Sequence, residues 1–105
     1  MIKGDFSSAH RLKDYNGDCE HIHGHNWKVE VIVVREDLDG IGLVVDFRKL
    51  KDILKKITDI LDHKYLNDIE PFCNINPSSE NIAKFIFYQI KERLQEAELK
   101  IVRVW

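Results

Sequence analysis

The 105-residue chain has only two cysteines and no long hydrophobic run, and these two features limit the classes of protein to which it can belong. Its two cysteines, Cys19 and Cys73, stand in different contexts and make no disulfide framework, which points to a reducing cytoplasm. No apolar run approaches the ~20 residues of a membrane span, and the start lacks the apolar core of a signal peptide. A formal charge of −2 gives no general reason to expect nucleic acid or a membrane as partner.

What is present is the composition of a globular protein. The sequence is 44% hydrophobic and 32% charged, which excludes a disordered chain. At this length we expect one domain, residues 1–105, that buries roughly two-thirds of the surface of its unfolded chain. No repeat, low-complexity tract or linker divides it.

Three of the five histidines fall in the stretch Cys19–His25. His23 and His25 are two residues apart, and an extended chain sends residues at this spacing to one face, where two imidazoles can chelate one metal ion. Zinc takes about four donors, and His10 is the best remaining candidate for a third, with His21 as the alternative. Three histidines with one open position form the catalytic arrangement, although a His-Gly-His sequence alone is more often ordinary surface or core.

The remaining polar candidates each have a structural interpretation beside a functional one. Cys19 would lie close to the metal without being needed as a ligand, as a reactive thiol; alone it would be an inert small hydrophobe. Cys73 lies in a predicted loop and is expected to be a buried or idle thiol. Asp62 and His63 can be a polar helix end, because a histidine is favourable near the negative helix C-terminus.

Hydrophobic periodicity predicts strands and helices in a definite order. Asp46 is the expected N-cap of the first helix; Asn76 or a serine after it should cap the second, with Pro77 in its first turn. Strand, hairpin, helix, helix, strand implies an α+β fold, an antiparallel sheet with two helices on one face. The open sheet edge at Trp105 favours an oligomer. The predicted elements are a strand at 2–10, a strand from Trp27 to Arg35 that the histidine pair extends, a hairpin at Asp39-Gly40 with a return strand at 42–45, a helix from Phe47 to near 62–63, a helix beginning near 76–80, and a strand at 99–105.

The chain resembles the 6-pyruvoyl-tetrahydropterin synthase family, most closely its 6-carboxytetrahydropterin synthase branch from the queuosine pathway. Each matching stretch would be weak alone, but five in order at suitable spacing are strong evidence. The gap of three residues between Cys19 and His23 is typical of the carboxytetrahydropterin branch. The matching stretches are 6–12 (FSSAHRL), 19–25 (CEHIHGH), 42–47 (GLVVDF), 61–67 (LDHKYLN) and 77–83 (PSSENIA).

The resemblance implies a tunnelling fold, in which the sheets of several subunits join into a barrel. It further implies a homo-oligomer, a hexamer built from trimers, with active sites between subunits. By this resemblance the zinc ligands are His10, His23 and His25, and the catalytic groups are Cys19, Asp62 and His63, with the Asp–His pair supplied by a neighbouring subunit.

The resemblance also implies a substrate, 7,8-dihydroneopterin triphosphate, and lyase chemistry on its side chain. In the carboxytetrahydropterin branch the products are 6-carboxytetrahydropterin, acetaldehyde and triphosphate. The family places a pterin-anchoring glutamate where it would follow Trp105, so the closing strand is expected to be missing from this sequence. Glu80, with Ser79 beside it, is the nearest substitute for pterin binding. The cations available for the triphosphate are Arg11, Lys13, Lys28 and Lys64.

Three functions stay open at this stage. The first is 6-carboxytetrahydropterin synthase. The second is an enzyme of the same family that makes 6-pyruvoyltetrahydropterin or cleaves dihydroneopterin. The third is a zinc-stabilised oligomeric pterin-binding protein without turnover.

Overall fold

The two longest strands bury one shared face. The computed structural model describes residues 2–12, 22–34, 47–94 and 98–105, with backbone alone for residues 23, 34, 47 and 98–101. Strand β1, Ile2–His10, pairs antiparallel with strand β2, His23–Val34, and Phe6 lies opposite Trp27. Their rings stack with centroids 6.1 Å apart, because directly opposed residues of an antiparallel pair share one face. The predicted strand at 2–10 is confirmed, and β2 extends back through the histidine pair, as expected.

Both helices pack on this face. Helix α1, Phe47–Leu61, begins where predicted, and the described side chains of its apolar face are buried, namely Leu50, Leu54, Ile57 and Leu61. Helix α2, Ser79–Arg93, is capped by Ser78, whose side chain accepts a hydrogen bond from the Asn81 N–H at 3.2 Å. Pro77 precedes this cap, so its predicted place in the first helical turn is wrong. The residues that the two helices bury in the common core are Leu50, Ile53, Leu54, Ile57, Leu61, Ile82, Ile86 and Ile90.

The sheet of the described residues is mixed, so the prediction of a wholly antiparallel sheet is wrong. Strand β3, Lys64–Tyr65, pairs parallel with β1, whereas strand β4, Glu98–Val104, pairs antiparallel with β2. The strand order is β3-β1-β2-β4. A two-residue strand has too little length for alternation to appear in its sequence. The α+β class, with both helices packed on the sheet, is confirmed.

Several predicted features lie outside the described residues. They are the Asp39-Gly40 hairpin, the return strand at 42–45, the Asp46 cap, Cys19, His21 and Lys13. Among the described helices, α1 and α2 are each 15 residues long, and none is long and apolar enough to cross a membrane.

Candidate active site

The register of β1 and β2 brings the predicted metal ligands to one end of the sheet. The Cα atom of His10 pairs with that of His23, and Ser8 pairs with His25. These positions continue the face on which Phe6 lies opposite Trp27, because side-chain faces alternate with a period of two. His10, His23 and His25 therefore occupy neighbouring positions on the face of the sheet that carries the core.

A backbone carbonyl at the start of α2 fixes the His10 ring. His10 Nδ1 lies 2.9 Å from the Pro77 carbonyl oxygen, and His10 is only 5% exposed. Because a carbonyl can only accept, Nδ1 carries the proton, and the lone pair of the neutral ring is on Nε2. Metal-binding histidines are commonly oriented by such a contact at the second ring nitrogen. A contact of this kind at Nδ1 is compatible with metal coordination through Nε2.

The two histidine rings that the structure describes have a spacing suited to one zinc ion. The ring centroids of His10 and His25 are 5.1 Å apart, and each ring packs edge-on against Trp27. Two imidazoles bound tetrahedrally at a Zn–N distance of ~2.0–2.1 Å would place their centroids roughly 5 Å apart. The spacing of these two rings is compatible with two ligands of one zinc ion.

The third predicted ligand, His23, is described by its backbone, at the start of β2. Among the side chains that the structure describes, no group of three His, Cys, Asp or Glu residues could hold a metal ion. The side chain of His23 lies outside that set, as does all of Cys19. What the fold contributes is the His10–His25 pair and the register position of His23 opposite His10.

A cavity of about 330 Å³ opens directly on the histidine pair. Its lining includes Ser79, predicted to contact substrate, at the first position of α2. Glu80 is exposed and does not line this cavity. In the first turn of the helix its carboxylate complements the positive end of the helix dipole. The geometry thus brings Ser79 to the histidines and leaves Glu80 on the surface.

The Asp62–His63 pair is assembled at the end of α1 and held by β1. Asp62 Oδ2 lies 2.9 Å from His63 Nδ1, while Asp62 Oδ1 accepts the backbone N–H of Ser7 at 2.8 Å. The His63 N–H donates in turn to the Ser7 carbonyl. The Ser7 N–H, and secondarily His63, hold the pKa of the Asp62 carboxyl below its ordinary value. Asp62 is therefore ionised at neutral pH and orients the His63 ring through Nδ1.

His63 adopts a backbone conformation that favours glycine. Its φ is 55°, in the left-handed region, at the second position after the last residue of α1. This is where helices commonly end with glycine, which has no Cβ to strain there. Strained non-glycine residues of this kind cluster at functional sites. That a histidine is kept at a position favourable to glycine suggests that its imidazole has a function.

His63 and the His10 ring line different cavities. His63 lines an open cleft of about 530 Å³ with Ser7, Ala9 and Gly24, whereas His10 lines the smaller cavity. His25 and Asn26 line both. The side chain of His63 is 83% exposed. Within one chain, the Asp–His pair is thus presented outward and does not close over His10.

Sequence reasoning missed three contributors to this site. Trp27 packs on both histidine rings, and its parity with His25 was the available signal. Asn26 accepts a hydrogen bond from Ser7 Oγ at 2.7 Å and so ties β2 to the strand that holds Asp62. The Pro77 carbonyl had no signal, because a backbone acceptor can belong to any residue.

Comparison with known proteins gives a consistent result. The family model for 6-pyruvoyl tetrahydropterin synthase matches residues 1–105. The chain is similar to a 6-pyruvoyl tetrahydrobiopterin synthase of Dictyostelium discoideum, with 37% identity covering 92% of this chain and 82% of that protein. It is 36% identical to a dihydroneopterin monophosphate aldolase of Pyrococcus furiosus, covering 100% of this chain and 86% of the other.

A third relative and a solved structure extend the comparison. A 6-carboxy-5,6,7,8-tetrahydropterin synthase of Synechocystis is 37% identical, covering 83% of this chain and 70% of that protein. Among solved structures, the 6-pyruvoyl tetrahydropterin synthase of Caenorhabditis elegans superposes with a TM-score of 0.77 at 25% identity, over 99% of this chain and 91% of the other.

The strained backbone of His63 gives a stability prediction. His63→Gly and His63→Ala both remove the imidazole, but alanine keeps a Cβ at a φ of 55°. We expect the glycine variant to exceed the alanine variant by about 1 kcal/mol in free energy of unfolding, measured by urea denaturation. At an unstrained position glycine would be the less stable of the two, so that order would refute the left-handed conformation.

Proposed function

This chain belongs to the 6-pyruvoyl tetrahydropterin synthase family, and from that premise we propose that it is a zinc-dependent 6-carboxy-5,6,7,8-tetrahydropterin synthase. In this proposal it converts 7,8-dihydroneopterin triphosphate and one water molecule to 6-carboxytetrahydropterin, acetaldehyde and triphosphate. The observation that carries the proposal is the His10–His25 pair, with His23 opposite His10 and Ser79 on the wall of the same cavity.

His10, His23 and His25 would hold the zinc ion. The support is the 5.1 Å spacing of two of the rings and the Pro77 contact that orients His10 for coordination through Nε2. When bound, the zinc would act as a Lewis acid toward the side-chain oxygens of the pterin. An open coordination position is typical of a catalytic site, whereas structural sites complete the shell with protein ligands.

Cys19 would act as general base at the side chain of the substrate. Protons must leave carbon and oxygen next to the pterin ring before the triphosphate can depart. A thiol at its reference pKa of ~8.5 is mostly protonated at neutral pH, and a nearby cation or imidazole favours the thiolate. Cys19 is four residues before His23 in the sequence, which limits how far apart the two residues can be.

His63 would be the second proton carrier, held in orientation by Asp62. The ionised Asp62 carboxylate accepts from His63 Nδ1 and leaves Nε2 to exchange a proton with substrate. Because the side chain of His63 is 83% exposed and faces another cleft, we propose that it serves the histidine site of a neighbouring copy. Strand β4 lies at the edge of the sheet of the described residues, where the sheet of another copy can add.

Two related functions compete with this one. The Dictyostelium and Pyrococcus relatives, named as a pyruvoyl-forming synthase and an aldolase, are as similar to this chain as the carboxytetrahydropterin synthase of Synechocystis. What favours the carboxytetrahydropterin reaction is the gap of three residues between Cys19 and His23. A zinc-stabilised pterin-binding protein without turnover is the third possibility.

Product analysis separates these functions. The zinc-loaded protein would be incubated with 7,8-dihydroneopterin triphosphate, and the pterins and aldehydes identified by mass spectrometry. We expect a 6-carboxy pterin together with acetaldehyde in equal amounts. A pyruvoyl or hydroxymethyl pterin would be consistent with the family but would show that the chain catalyses a different reaction from the one proposed. Zinc binding without any product would support the binding protein.

The role of Cys19 gives a separate prediction. Cys19→Ala should lower turnover by roughly 100-fold or more, because general base catalysis contributes about this much or more. Zinc content, measured by atomic emission, should stay that of the unsubstituted chain because the thiol is not a ligand in this proposal. Unchanged turnover would remove Cys19 as the base, and lost zinc would make it a ligand.

A further inference from the structure

A second cavity, of about 400 Å³, opens beside Arg11, the residue that follows His10. The polar residues that line it include Arg11, Asn67, Asp68, Cys73 and Asn74. No role proposed above for the histidines, Cys19 or the Asp–His pair uses this cavity. Its mainly polar lining, with Arg11 among the residues, is suited to a polar ligand.

Within the part of the chain that the structure describes, one N–H group of the Arg11 guanidinium lacks a hydrogen-bond acceptor. Arg11 Nε is buried and has no hydrogen-bond partner among the described residues. A buried donor that has lost water without gaining an acceptor is unfavourable. A planar guanidinium is matched by the oxygens of phosphate or carboxylate, which can accept two of its N–H groups side by side. Because Nε itself is sealed from the cavity, an oxyanion there would engage the terminal N–H groups and so offset the desolvation of the same cation.

The backbone of Arg11 is fixed in advance. The Asn67 side chain closes a two-point contact with it, in which Oδ1 accepts the Arg11 N–H at 2.9 Å and Nδ2 donates to the Arg11 carbonyl at 2.8 Å. Holding a binding group in place before the ligand arrives lowers the entropic cost of binding. Asn67 therefore positions Arg11 at the wall of the cavity.

We propose that this cavity is an oxyanion site that binds a phosphate group through Arg11. Of the other cations considered for the triphosphate, Lys28 and Lys64 are exposed side chains outside this cavity, and Lys13 lies outside the described residues. Asp68 also lines the cavity, and its carboxylate opposes an anion. Arg11 and Asp68 should thus have opposite effects on binding.

The cavity adjoins the histidine site along two segments of chain. Arg11 directly follows His10, and Asn76, on the wall of the cavity, directly precedes Pro77, which holds the His10 ring. The phosphate can therefore come from two sources. One is the triphosphate of the substrate, an assignment that rests on the proposed function, and the other is free inorganic phosphate.

Cys73 provides a local readout, because it is an exposed thiol on the wall of the cavity. The metal-loaded full chain would be alkylated with N-ethylmaleimide in sodium phosphate, or in sodium chloride at the same ionic strength. Peptide mass spectrometry then gives the rate at Cys73 separately from Cys19. We expect phosphate to slow alkylation of Cys73 to a saturating limit that chloride does not produce. Equal rates in the two salts would overturn the proposal.

Two substitutions of opposite sign test the assignment to Arg11. Arg11→Gln should raise the phosphate concentration for half-protection by roughly tenfold or more, since a hydrogen bond to a charged group is lost. Asp68→Asn should lower this phosphate concentration by roughly two- to fivefold, because it removes a repulsion comparable in energy to an exposed ion pair. An unchanged midpoint in Arg11→Gln would refute the site. If that variant does not fold, as judged by circular dichroism, an unchanged midpoint in Asp68→Asn refutes it instead.

The dihydroneopterin substrate distinguishes the source of the phosphate and separates this proposal from the previous one. Protection of Cys73 by 7,8-dihydroneopterin triphosphate at concentrations where inorganic phosphate is ineffective would assign the site to the substrate. Similar midpoints for the two would assign it to free phosphate. Protection by phosphate in a protein without turnover would keep the site while the proposed reaction fails. Turnover without protection in either arm would leave the reaction standing and remove the site.

Discussion

The register between β1 and β2 is the constraint on which the rest of the structure depends. It places Phe6 opposite Trp27 in the core, and the same alignment, four residues further along β1, sets His10 opposite His23. A shift of one residue would turn the buried face of a strand toward solvent, so the core enforces the alignment. The energy that buries the aromatic rings is therefore also what brings the candidate metal ligands together.

Two further contacts connect this sheet end to the rest of the chain. The Pro77 carbonyl joins the start of α2 to the His10 ring, and the backbone of Ser7 joins β1 to the Asp62–His63 pair. Both use backbone groups as the partner. Such positioning is independent of side-chain flexibility, which suits groups that must be held to within a fraction of an ångström for coordination or proton transfer.

The sequence predicted the strands and helices that are long enough to show a periodic hydrophobic pattern, and the site residues that belong to a recognisable motif. The strand at 2–10 and the helix start at Phe47 followed from alternation and from apolar spacing. The family resemblance, through which the residues of the His10, His23 and His25 set were named, is confirmed by the family match over 1–105. Those residues' roles remain predictions.

Other features had no signal of this kind. The parallel strand β3 is two residues long, so the sheet is mixed although the sequence indicated an antiparallel one. The left-handed conformation of His63 and the carbonyl contact of Pro77 depend on tertiary packing and have no local signature. The hydrogen bond between the Arg11 backbone and the Asn67 side chain joins residues 56 positions apart, so no local sequence pattern could predict it.

The central claim is that the paired strand ends form a zinc site of three imidazoles with Cys19 outside the coordination shell. X-ray absorption spectroscopy at the zinc edge of the zinc-loaded protein tests this most directly, because nitrogen and sulfur ligands differ in distance. The account predicts three imidazole nitrogens at ~2.0–2.1 Å, one further oxygen or nitrogen, and no sulfur. A sulfur ligand at ~2.3 Å, or fewer than three imidazoles, would contradict it.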